Sequence, residues 1–75
     1  MKKTLIERIL NYLRNHRKGI TSMKAFWLFR ATRLSGQIFV LRQRGFVIQT
    51  IMEDNVFRPG QHARYVLIKE PDKNI

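Results

Sequence analysis

Arg33, Gln37, Gln43 and Arg44 are the side chains of this sequence best suited to recognition chemistry. An arginine fork donates two parallel hydrogen bonds to a phosphate or a guanine edge, and a glutamine amide pairs in the same way with adenine. Thr32 and Ser35 add hydroxyls at the start of that stretch, while Gly36 allows close approach and Val40 offers a small apolar contact. A second group follows at Arg58, His62 and Arg64. Side chains for covalent or acid–base work are sparse. His16, His62 and five acids stand at spacings that make neither a catalytic dyad nor a metal cluster, and there is no cysteine. Two histidines alone are too few ligands for a zinc site. A non-enzymatic protein is expected, with no cofactor, no metal and no small-molecule substrate.

The placement of charge says what these groups would meet. The 75 residues carry a net charge of +10. Residues 1–45 hold eleven Lys/Arg against Glu7 alone, whereas residues 46–75 hold four bases and four acids. All the excess therefore lies in the first part of the chain. A polyanion explains such asymmetry, because each cation that meets a phosphate releases condensed counterions. Double-stranded DNA is the expected partner. RNA ranks below it, since the aromatic-rich strand of the common RNA-binding sheet is missing. The longest apolar runs, 25–29 and 38–41, are far too short to span a membrane, and Glu7 and Arg8 interrupt any signal-peptide pattern. A cytoplasmic protein without membrane contact is expected.

The elements that must position these groups can be read from spacing. Thr4-Leu5-Ile6-Glu7 is a capping box, with Thr4 as cap and Glu7 reaching back to its amide. Leu5, Ile6, Ile9, Leu10 and Leu13 then make one apolar helical face, and Gly19 ends the segment. Ile20 and Thr21 suit a short extended stretch. Ser22 or Thr21 caps a second helix over residues 23–30, with Ala25 at a close approach and Leu28 and Phe29 in the core. Phe26 and Trp27 make that helix apolar nearly all round, and core packing is their default.

Thr32 is expected to cap a third helix over residues 33–44, closed by Gly45. At about 100° per residue, Leu34, Ile38 and Leu41 form its inward stripe. Arg33, Gly36, Phe39, Val40 and Gln43 face outward, with Arg44 at the border. After Gly45, β-branched and aromatic runs at 46–52 and 64–68 read as a hairpin whose loop covers 53–62. Tyr65 and Leu67 point inward if Phe46 and Ile48 do.

Helix, helix, short turn, helix, glycine and hairpin predict an α+β fold, a winged helix-turn-helix over residues 1–70 with a frayed tail at 71–75. There the third helix enters the major groove, and the hairpin, or wing, reaches flanking backbone. Arg42 and Arg44 also suit the negative end of their own helix. Arg33 opposes the dipole at the other end, which makes it the strongest candidate for DNA contact. Phe39 and Val40 suit thymine methyls or, by a small margin, packing against the hairpin, a second copy or another protein. Together with Phe26 and Trp27 they frame the alternative, an effector docking on a host protein.

Several short motifs now line up: 9–13, 19–22, Ala25, 32–35, 38–42, Gly45-Phe46 and 64–67. As a set they resemble the small helix-turn-helix proteins encoded by phages and prophages, over about four-fifths of the chain. The resemblance implies a winged helix-turn-helix that binds DNA, with Thr32, Arg33 and Ser35 at the start of the recognition helix. Transcriptional regulation or assistance to recombination is the role expected, in the host-cell cytoplasm. The Phe-Trp-Leu-Phe run of the second helix and Phe39-Val40 in the third depart from that pattern.

Overall fold

The computed structural model describes residues 4–71. These form helices α1 (Leu5–Asn15), α2 (Ser22–Phe29) and α3 (Leu34–Gln43), and strands β1 (Ile20–Thr21), β2 (Val47–Asp54) and β3 (Gln61–Lys69). The strands make one antiparallel sheet in the order β1-β3-β2. This is the expected α+β order. Most of the tail expected to fray, 72–75, lies outside the described residues.

α1 forms where the apolar spacing puts it. Thr4 Oγ1 accepts the Glu7 amide at 3.3 Å, the first half of the expected capping box. Ile9 and Leu13 are buried, and Leu5, Ile6 and Leu10 pack beside them. The chain leaves the helix at His16, whose carbonyl accepts the Gly19 amide at 3.0 Å. Gly19 adopts φ +85°, and a Cβ there would collide with the Tyr65 carbonyl. Only glycine lets the chain pass so close to β3. Ile20 then pairs with Tyr65 and Thr21 with Arg64, with Ile20 fully buried.

Of the two candidate caps for α2, Thr21 is the one used: its Oγ1 accepts the Lys24 amide at 3.2 Å. The helix stops at Phe29, and Arg30 takes a left-handed conformation at φ 58°. Ala25 and Ala31 are buried, and the Phe29 ring meets Tyr12 edge-on at 6.1 Å. The core expectation fails for Phe26, Trp27 and Leu28, which are exposed, Trp27 by 75%. The two turns of α2 rest on their neighbours through Ala25 and Phe29, and the other bulky side chains are turned to the outside.

α3 presents Leu34, Ile38 and Leu41 to the core, as the helical wheel places them. Thr32 does not cap it. Arg33 holds the N-cap position instead, and no side chain accepts from the first turn. Gly45, at φ +101°, closes the helix with two bonds, Gly45 N–H to the Arg42 carbonyl and Phe46 N–H to the Leu41 carbonyl, both 3.1 Å. That pair is a Schellman motif, and it aims Phe46 at the core.

The hairpin strands are longer than expected, and the loop shrinks to residues 55–60. Glu53 pairs with His62 and Asp54 with Gln61, so polar residues that read as loop extend the ladder by cross-strand contact. Near the far end Val47 faces Lys69 and Ile48 faces Leu67, which leaves Ile68 as an extra residue, a bulge. Ile48 is buried, and Tyr65, Leu67 and Phe46 pack against the core, as alternation requires.

Arg42 fixes α3 against this hairpin. Its Nε and Nη2 donate to the Ile48 carbonyl at 3.1 and 2.6 Å, and Nη2 also reaches Thr50 Oγ1 at 2.9 Å. Charged donors on a carbonyl are worth more than neutral ones, so Arg42→Ala should cost about 1–2 kcal/mol in urea unfolding. Arg42→Lys should recover only part of this, because an ammonium cannot fork. Unchanged stability in Arg42→Ala would show that the contact is idle.

Candidate nucleic-acid interface

The buried stripe of α3 leaves its other side free. Thr32, Arg33, Ser35, Gly36, Gln43 and Arg44 are exposed, and Gln37 and Val40 are half-buried. Phe39 does not pack against the hairpin and is 60% exposed on the same helix, because the hairpin meets α3 at its C-terminal end, through Phe46 and Arg42. The side chains of Arg33 and Arg44 make no hydrogen bond or ion pair with any described residue. Around Gly36, a Cβ would meet nothing within 4 Å. The fold itself does not require a glycine there. Arg42, by contrast, is taken up by Ile48 and Thr50.

The three hairpin candidates divide. Arg58 is exposed and without a partner among the described residues. His62 and Arg64 are half-buried and both hold Glu53: Arg64 Nε lies 2.9 Å and His62 Nε2 3.1 Å from Oε1. His62 Nδ1 faces Asn55 Oδ1 at 2.8 Å, so both ring nitrogens meet oxygens. Arg64 Nη1 also reaches the Lys18 carbonyl at 3.4 Å. The hydrogen bond from Arg64, its charge and the smaller contribution of His62 hold the Glu53 carboxyl below its usual range.

Hairpin and helices share an open groove of about 570 Å³. Asn55, Arg58, His62 and Arg64 line one side; Thr21, Ser22, Met23, Phe26, Ala31 and Thr32 line the other. The start of α3 and the hairpin loop therefore flank one cleft. A second hollow, between the end of α1 and the start of α2, gathers His16, Arg17, Lys18, Lys24 and Arg64 around Tyr12. Apart from Arg64, sequence spacing did not single these residues out as a site, although the charge excess of residues 1–45 was the signal for them. Elsewhere Arg14 is paired with Glu70 at 2.7 Å. Among the described residues no three His, Cys, Asp or Glu side chains gather as metal ligands, and no helix is long and apolar enough to cross a membrane.

Such a surface has the chemistry of an anion-binding face: free guanidiniums and amides on a rigid helix, with a loop cation beside it. The sequence matches the family described as a winged helix-turn-helix domain over residues 4–70. No curated protein and no solved structure matches the chain.

The Glu53 cluster gives a pH dependence of known sign. A carboxyl held below its unfolded value of about 4.5 stabilises the fold above that pH, and the contribution is lost as pH falls through the lowered value. At about pH 7 the parent protein should therefore melt above Glu53→Gln, and the gap should close progressively below about pH 4.5. A gap independent of pH in thermal melts would remove the carboxylate from the account.

Proposed function

Because the chain belongs to the winged helix-turn-helix family of DNA-binding domains, we propose that it binds duplex DNA with α3 in the major groove and the β2–β3 loop on flanking backbone. The observation that carries this reading is the two-sidedness of α3. Leu34, Ile38 and Leu41 anchor it, while Arg33, Ser35, Gly36 and Gln43 stand exposed. Arg33, Gln37, Gln43 and Arg44 are the readers of base edges or phosphates, Thr32 and Ser35 bond phosphate, and Val40 meets a thymine methyl. Arg58 takes a flanking phosphate. His62 and Arg64, already shared with Glu53, set the shape of the loop and reach phosphate from that arrangement. Residues 1–70 act as one module, non-enzymatic and working in the cytoplasm. It suits a phage-type transcriptional regulator or recombination accessory factor, either of which needs local recognition and no chemistry of its own.

Salt titration tests the reading. Duplex affinity should fall with a log–log slope of about −0.9 for each phosphate neutralised. Arg33→Ala should weaken binding about tenfold or more if the contact is a bidentate base pair, or lower the slope by about 1 if it is a phosphate. Undetectable duplex binding at about 50 mM salt would end the proposal.

Gly36 supplies a test in which stability and binding move in opposite directions. With open space at its Cβ, Gly36→Ala should stabilise the fold by about 0.5 kcal/mol through helix propensity. The same methyl should weaken duplex binding by standing between α3 and the groove. A variant that is more stable and binds equally well would show that nothing approaches there.

A further inference from the structure

The β2–β3 loop is longer and more ordered than chain reversal requires. Two residues suffice to close an antiparallel hairpin, yet residues 55–60 connect these strands. Asn55 braces them from within. Its amide donates to the Gly60 carbonyl at 3.0 Å, its Nδ2 to the Pro59 carbonyl at 3.2 Å, and its Oδ1 faces His62 Nδ1 at 2.8 Å. What the braced loop presents is apolar: Val56 is 83% exposed and Phe57 97%. A phenylalanine is among the side chains whose burial most favours a small core. This one packs on nothing within the fold.

The position of the tip narrows what it can meet. Asn55 and Arg58 line the same cleft as Thr32, the residue that leads into α3. No acid lies between Val56 and Gly60. Of the acids just before them, Glu53 is paired with Arg64 and His62, while Asp54 accepts from the neutral Gln61 amide at 3.1 Å and keeps its charge at the base of the loop. An apolar pair followed by a free arginine, on a chain of net charge +10, fits a polyanion with a stacked apolar interior. The minor groove of duplex DNA has that chemistry.

We propose that Val56-Phe57-Arg58 is a minor-groove wedge: Phe57 enters a base step and unstacks it, while Arg58 holds the flanking phosphate. The inference rests on the duplex-DNA reading above and adds a mechanical consequence to it. An inserted ring kinks the duplex toward the major groove, where α3 sits. Pyrimidine–purine steps unstack most readily, so TA and CA/TG steps beside the major-groove site are preferred.

The test uses the full chain and a duplex with a dye at each end and 2-aminopurine within a run of TA steps. Binding should shorten the end-to-end distance and brighten the 2-aminopurine. Phe57→Ser should bind within about threefold of the parent, with the same salt slope, because phosphate contacts supply the affinity. It should leave the duplex straight and the probe dark. Phe57→Leu keeps an apolar wedge and should restore both signals. Binding by the parent to a straight duplex with a dark probe overturns the wedge and leaves the DNA reading standing, as does undiminished bending by Phe57→Ser. Absence of binding at about 50 mM salt overturns the DNA reading and the wedge together.

Discussion

The approach of Gly19 to the Tyr65 carbonyl decides where the helical part of this chain meets the hairpin. β1 is two residues long, but it places fully buried Ile20 against β3 and starts α2 immediately afterwards, capped by Thr21. With the chain so held, α1 and α2 meet through Tyr12 and Phe29, and the first turn of α2 faces the hairpin loop across the cleft. Two further ties act at other points. Arg14 with Glu70 joins α1 to the chain just beyond β3, and Arg42 with Ile48 joins α3 to β2. The exposed ion pair contributes little by itself. The Arg42 contact counts for more, since it uses a fork on a carbonyl at the edge of the core.

These ties also distribute the charge. Glu70 and Glu53, two of the few acids, are used on Arg14, His62 and Arg64. Their cations lie at the end of α1 and in the hairpin, so neutralisation falls mainly away from α3. Arg33 and Arg44 pair with no described acid and keep their charge. A domain can thus be braced by ion pairs and still present unscreened cations on one face. This depends on which cations the acids reach, which a net charge of +10 does not reveal.

The parts of the fold legible in the sequence are those fixed by local periodicity or by a single backbone requirement. Leu34, Ile38 and Leu41 fall on one stripe at about 100° per residue, and they are buried. Thr4 and Gly45 act as cap and terminator through bonds within one turn. The misses depend on distant partners. Glu53, Asp54, Gln61 and His62 have loop composition but lie in strands, because each faces a hydrogen-bonding residue across the ladder. Phe26, Trp27 and Leu28 read as core because α2 is apolar nearly all round, and such a pattern cannot say which face is covered. Arg42 had a local explanation in the dipole of its own helix, and the contact with Ile48 lies six residues away in a strand. Of the candidate site, the exposure of α3's outer side was legible. The division of the hairpin cations by Glu53 was not.

Where the chain departs from local rules, the departures fall at the start of α3 and in the hairpin loop, next to Thr32 and Arg58, which line one cleft. A cation stands at the N-terminus of α3 against the helix dipole, and no side chain caps that end. A glycine sits in the same first turn with open space around it. In the hairpin loop, a phenylalanine stands clear of the core, and hydrogen bonds hold that loop in shape. Each weakens the isolated domain slightly, and none is explained by packing. Natural sequences break such rules chiefly where function compensates for them. The three also share a character: a positive point, a gap without a side chain and an apolar projection complement a charged, grooved, stacked surface better than a flat one. The case for a nucleic-acid interface therefore does not rest on the charge count alone. It rests equally on local stability given up at positions that a duplex would touch.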